Sequence, residues 1–60
     1  MTLDEHITKA FHSTEFLVGD LRDALGKASP LEDMVLRSIL AEAYKLHLRM
    51  ELFAQAINTD

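Results

Sequence analysis

The stretch Gly26-Lys27-Ala28-Ser29-Pro30-Leu31-Glu32 decides how this chain folds. It holds the single proline and one of the two glycines in 60 residues. Ser29 stands three residues before Glu32, the spacing of a capping box. In that motif the hydroxyl accepts from the N3 amide while the N3 carboxylate reaches back to the N-cap amide. Pro30 then falls on the first helical position, where an N–H would have no intrahelical partner. Gly26 suits the left-handed position just past a helix C-terminus. Thr2-Leu3-Asp4-Glu5 repeats the capping-box spacing near the start of the chain. The reading is therefore two helices, over about 3–25 and 30–57, joined by a turn at 26–29. So short a turn sets the helices antiparallel. The predicted fold is all-α: an antiparallel two-helix hairpin forming a single domain over 1–60, packing with a second copy or a partner into a helical bundle.

The apolar residues on both sides of the turn recur at helical spacing. Leu3, Ile7, Ala10, Thr14, Leu17, Leu21 and Ala24 form a 3–4 seam on the first helix, widened by Phe11, Val18 and Leu25. Leu36, Ile39, Ala43, Leu46, Met50, Phe53 and Ile57 form the matching seam on the second, flanked by Val35 and Ala54. The hairpin core expected from these stripes is Ile7, Phe11, Leu17, Leu21, Leu36, Ile39, Leu46, Met50 and Phe53. Pairs at i,i+4 (Glu5–Lys9, Asp23–Lys27 and Asp33–Arg37) add support on the outer faces.

One seam does not account for the second helix. Met34, Ala41, Leu48 and Leu52 make another apolar line about 140–160° away at 100° per residue, and Leu40 and Tyr44 lie between. Phe16 likewise points away from the first-helix seam. A lone hairpin leaves such residues in water, and large exposed apolar patches mark interfaces. The expected partner-binding residues are Met34, Ala41, Tyr44, Leu48, Arg49 and Leu52, with Arg49 as a rim charge.

Composition narrows the function classes. Hydrophobic residues make up 48% and charged residues 27%, the balance of a folded chain. There is no cysteine, so neither a disulfide nor a thiolate zinc site supports this small domain. A formal charge of -4, with only six scattered Lys and Arg, argues against nucleic-acid binding. No apolar run reaches the length needed to span a bilayer, and the acidic opening residues are unlike a signal peptide. Cytoplasmic residence is the expectation. His12-Ser13-Thr14-Glu15 places a histidine and a carboxylate on one helical face, but in the reverse order to the Glu-x-x-His of di-metal bundles. His47 and Glu51 form an i,i+4 pair, read as a solvated flank of the second helix. No nucleotide, zinc or nucleophile motif is present. The reading is no enzyme, no metal and no cofactor.

The chain resembles the small co-chaperones of type III secretion needle subunits. The similar parts are Leu21-Arg22-Asp23-Ala24-Leu25 closing the first helix, the Gly26 to Pro30 turn, Ala41 and Ala43 in the middle of the second helix, and the late cluster Leu52, Phe53 and Ile57. The resemblance implies a cytoplasmic hairpin that pairs with a larger helical-repeat chaperone to keep a needle subunit from polymerising. The expected function is thus a non-catalytic protein-binding module. The alternative is a homodimeric four-helix-bundle regulator, RNA-binding or antitoxin-like, resembling the small plasmid-type RNA-binding hairpins. Its chemistry fits less well, since RNA loops call for a basic or aromatic face. The expected partners are another protein, a copy of itself, or both.

Overall fold

The computed structural model describes residues 2–58. Two helices, α1 (Leu3–Leu25) and α2 (Pro30–Ile57), run antiparallel and side by side. The hairpin is long and thin, 47 × 17 × 12 Å, with a radius of gyration of 14.0 Å.

Local chemistry sets each boundary. At α2 the capping box is complete: the Ser29 amide donates to Glu32 Oε1 at 2.9 Å, and the Glu32 amide donates to Ser29 Oγ at 3.3 Å. Hydrogen bonding of the carboxylate by the Ser29 backbone amide, and secondarily by the Ser29 side chain, holds the Glu32 carboxyl below the usual glutamate range. The α1 start differs from the expected box. The Glu5 amide donates to the Thr2 hydroxyl at 3.3 Å, but the Glu5 carboxylate accepts from that same hydroxyl at 3.2 Å. The turn also differs from expectation. Gly26 has φ -66° and ψ -14°, a right-handed conformation. The chain leaves α1 through successive i→i−3 bonds instead, from Gly26, Lys27 and Ala28 to the carbonyls of Asp23, Ala24 and Leu25. This tightening satisfies the last carbonyls of α1, so no left-handed residue is needed.

The seam between the helices keeps Ile7, Thr14, Leu21, Leu36, Ala43, Met50 and Ile57 of the predicted stripes but replaces their other members. On α1 it runs through Ile7, Phe11, Thr14, Val18, Leu21 and Leu25; on α2 through Leu36, Leu40, Ala43, His47, Met50, Ala54 and Ile57. Thr14, Val18, Ala43 and Ala54 are buried, and the others are half-buried. Leu17, Ile39, Leu46 and Phe53, expected in the core, are 42–46% exposed. Leu3, expected in the α1 seam, is also exposed. On each helix one position in two is kept and the other moves on by one residue, so the contact line is shifted by about 50°.

Three side chains mark the shifted seam. The Thr14 hydroxyl donates its one proton to the Phe11 carbonyl at 2.6 Å. It therefore accepts from His47 Nδ1, 3.0 Å away across the seam, which fixes the proton on that nitrogen. Phe11 stacks on the His47 ring, centroids 5.1 Å apart and planes 18° from parallel. His47, read as a solvated flank residue, is thereby drawn inward, and Ile39, Leu46 and Phe53 swing out. The small Ala43 and Ala54 let the helices approach closely on either side of it.

Candidate functional site

The rotation creates two unlike broad faces. On either helix, the residue just before a seam residue is turned about 100° from it in the same sense along the chain. Because the helices run in opposite directions, these residues meet on one face of the hairpin. Nearest the middle of that face are Ala10, Leu17 and Ala24 from α1 and Val35, Ile39, Leu46 and Phe53 from α2, while His6, Ser13, Asp20, Glu42, Arg49 and Ala56 lie along its margins. The juxtaposition is direct: Leu17, Ile39, Ala43 and Leu46, with Glu42, line one open groove. Nearer the turn, Ala24, Ala28, Leu31 and Val35 line another, bordered by Lys27 and Glu32.

The opposite face is polar and self-satisfied. Arg22 lies over the Tyr44 ring, 5.7 Å from its centroid. Arg37 Nε donates to Asp33 Oδ1 at 2.6 Å. A shallow opening on this side is lined by Thr8, Phe11, His12, Glu51, Ala54, Gln55 and Asn58. His12 Nδ1 is 3.9 Å from Glu15 Oε1, both side chains being exposed. Among the described residues, no group of three or more His, Cys, Asp or Glu side chains is placed to hold a metal ion. Among the described residues, no helix is long and apolar enough to cross a membrane.

Of the six residues expected to bind a partner, four fall on one line. Met34, Ala41, Leu48 and Leu52 follow one another at intervals of seven, seven and four residues on the part of α2 turned away from α1, and all are exposed. Met34, Leu48 and Leu52 are 70%, 57% and 65% exposed. Tyr44, four residues before Leu48, flanks the line on the side of the polar face, where Arg22 lies over its ring. Arg49 lies between Leu46 and Leu52 around α2, three residues from each, so it is exposed at the border of the Leu48 line. Phe16 stands alone on the back of α1, 74% exposed.

The sequence reading therefore missed a second apolar surface by assigning its members to the core. A signal for it was present. Phe11, Val18 and Leu25, and likewise Leu40, His47 and Ala54, fit a 3–4 pattern as well as the residues just before them. Two overlapping patterns on each helix mean two contact lines on each helix.

Comparison with known proteins finds no matching family model, no similar curated protein and no similar solved structure. The co-chaperone resemblance rests on the residues quoted for it above.

Proposed function

We propose that this hairpin is a non-catalytic protein-binding module of the cytoplasm, whose α2 outer edge docks into a groove on a larger helical protein. The observation that carries this reading is the line of Met34, Leu48 and Leu52, each more than half exposed on the side of α2 that α1 cannot reach. An amphipathic helix laid into an apolar groove uses anchors at such spacings. Ala41 in mid-line admits a close approach, and Met34 adapts its shape to an irregular groove. The resemblance to needle-subunit co-chaperones points the same way, with a helical-repeat chaperone as the partner and a needle subunit as the client. The polar face, with its internal ion pair and cation–π contact, has fewer groups left to satisfy.

The test is affinity capture from the source cells with the tagged chain and its variants. A larger helical chain retained by the native sequence and lost with Leu48→Asp, at unchanged helix content, is the expected result. Arg49→Ala should weaken capture by no more than about 1 kcal/mol, as for an exposed rim charge. Capture that survives Leu48→Asp and disappears with Phe16→Asp would move the surface to α1.

A further inference from the structure

We infer that the face carrying Leu17, Ile39, Leu46 and Phe53 binds a second copy of this chain, forming a four-helix bundle with both turns at the same end. This surface is distinct from the Leu48 line, and the inference does not rest on the α2-edge reading.

The hairpin is too extended to be a finished globule. Its radius of gyration is 14.0 Å, where a compact 60-residue domain would have about 10 Å. Its accessible surface is 4686 Å², against about 4,000 Å² for a compact monomer of this mass. The difference, roughly 700 Å², is close to the roughly 800 Å² that each partner contributes to a standard interface. The face itself, 47 by 17 Å in outline, has that same extent.

The second argument is self-complementarity. On this face α1 presents the small Ala10 and Ala24 around Leu17, with Ala28 beside them in the turn, whereas α2 presents large residues, Val35, Ile39, Leu46 and Phe53. A twofold axis parallel to the helices lays the second copy's α1 over α2, small against large. A twofold axis across the helices would set α2 on α2, bulk against bulk, and leave alanines facing alanines. The levels along the bundle fit the first arrangement. The Thr14–His47 bond defines which positions stand opposite, and the buried Val18 and Ala43 keep the same relation. By that relation Leu17 is close to level with Tyr44, Ala10 with Glu51 and Ala24 with Arg37. An axis parallel to the helices preserves level. The second copy's Leu17 therefore falls between Ile39 and Leu46, its Ala10 between Leu46 and Phe53, and its Ala24 between Val35 and Ile39. Each large side chain enters a gap between two residues of the facing helix, which is knobs-into-holes packing. Isologous contact also means that one set of substitutions acts on both halves of the interface.

The experiment uses the full chain. Sedimentation across a dilution series should show twice the chain mass giving way to one chain only on dilution. Leu46→Asp should be a single chain throughout, and Leu48→Asp should remain double. Because the chain has no cysteine, Lys27→Cys offers one spin-label site, in the turn at the end border of the packed face. Two labels per dimer should then lie within about 20 Å of each other, since turns at the same end of a bundle stand about one to one and a half interaxial spacings apart. This distance decides the matter even if Leu46→Asp fails to fold. A native chain that is single at every concentration, a dimer that survives Leu46→Asp, or a label separation near the 47 Å length of the hairpin would each overturn the inference.

Discussion

The two broad faces of this hairpin are built from the same two helices, yet they are satisfied in different ways. On one, Arg22 covers Tyr44 and Asp33 holds Arg37, so the polar groups find partners within the chain. On the other, Leu17, Ile39, Leu46 and Phe53 stay 42–46% exposed, although their helices touch along their whole length. Charged side chains are long and can fold back onto a neighbour on their own side. Apolar side chains standing off the plane of two helices have nothing to fold onto. A two-helix fold can therefore complete a polar face by itself but not an apolar one.

The largest change should follow from breaking the apolar face. Ile39→Asp should remove the concentration dependence of the thermal midpoint. At a chain concentration a hundredfold above Kd, the lost stabilisation is about 2.7 kcal/mol. A midpoint in the native chain that does not move with concentration would remove the difference between the faces. Next comes the seam that divides them. Thr14→Val strands the His47 Nδ1–H and should cost about 2 kcal/mol, on the order of 10 °C in the midpoint. Adding His47→Leu should recover most of that loss, because no donor is then left unpaired. A double variant as unstable as the single one would show that the hydroxyl matters for another reason.

A smaller effect is expected at the α2 start. Ser29→Ala should cost about 1 kcal/mol by chemical denaturation. The Glu32 carboxyl is held below its ordinary range by its bonds to Ser29. The folded chain therefore binds this proton less readily than the unfolded chain. Its contribution is present above the ordinary glutamate pKa and is lost as pH falls through the depressed value. Glu32→Gln should flatten that part of the acid limb, and an unchanged limb would count against the carboxylate's role. The smallest change belongs to the polar face. Arg22→Ala should shift stability by about 0.5 kcal/mol, since an exposed cation–π contact contributes little. A loss as large as that at Thr14 would mean that the polar face is not merely a solvated one.

Both helices were legible in the sequence to the residue, Leu3–Leu25 and Pro30–Ile57. Capping chemistry is local, and Ser29, Pro30 and Glu32 act within one turn. The contact line was not legible by the same means. Leu36, Ala43, Met50 and Ile57 belong equally to a pattern completed by Ile39, Leu46 and Phe53 and to one completed by Leu40, His47 and Ala54. Summed hydrophobicity favours the first. The structure uses the second, in which Thr14 and His47, 33 positions apart in the chain, bond across the seam. Gly26 was misread for a related reason: its type permits a left-handed turn, but the i→i−3 bonds of the neighbouring residues made one unnecessary. Of the expected partner residues, Met34, Ala41, Leu48 and Leu52 could be grouped from helical period alone. Tyr44 and Arg49 flank that line by the same period, but the contact of Tyr44 with Arg22 depended on the packing of the other helix.

The Thr14–His47 pair also bears on which alignments the hairpin can occupy. A seam of apolar residues repeating every three and four positions offers several slipped arrangements of similar energy, each displaced by one helical turn, about 5.4 Å. In either neighbouring slip His47 would leave Thr14 and stand opposite Phe11 or Val18, whose side chains offer its ring nitrogen no acceptor. Desolvating that group without a partner separates the slipped states from the native one. One polar contact thus makes a single alignment the ground state of an otherwise degenerate pair of helices, as a lone buried polar pair does in coiled coils.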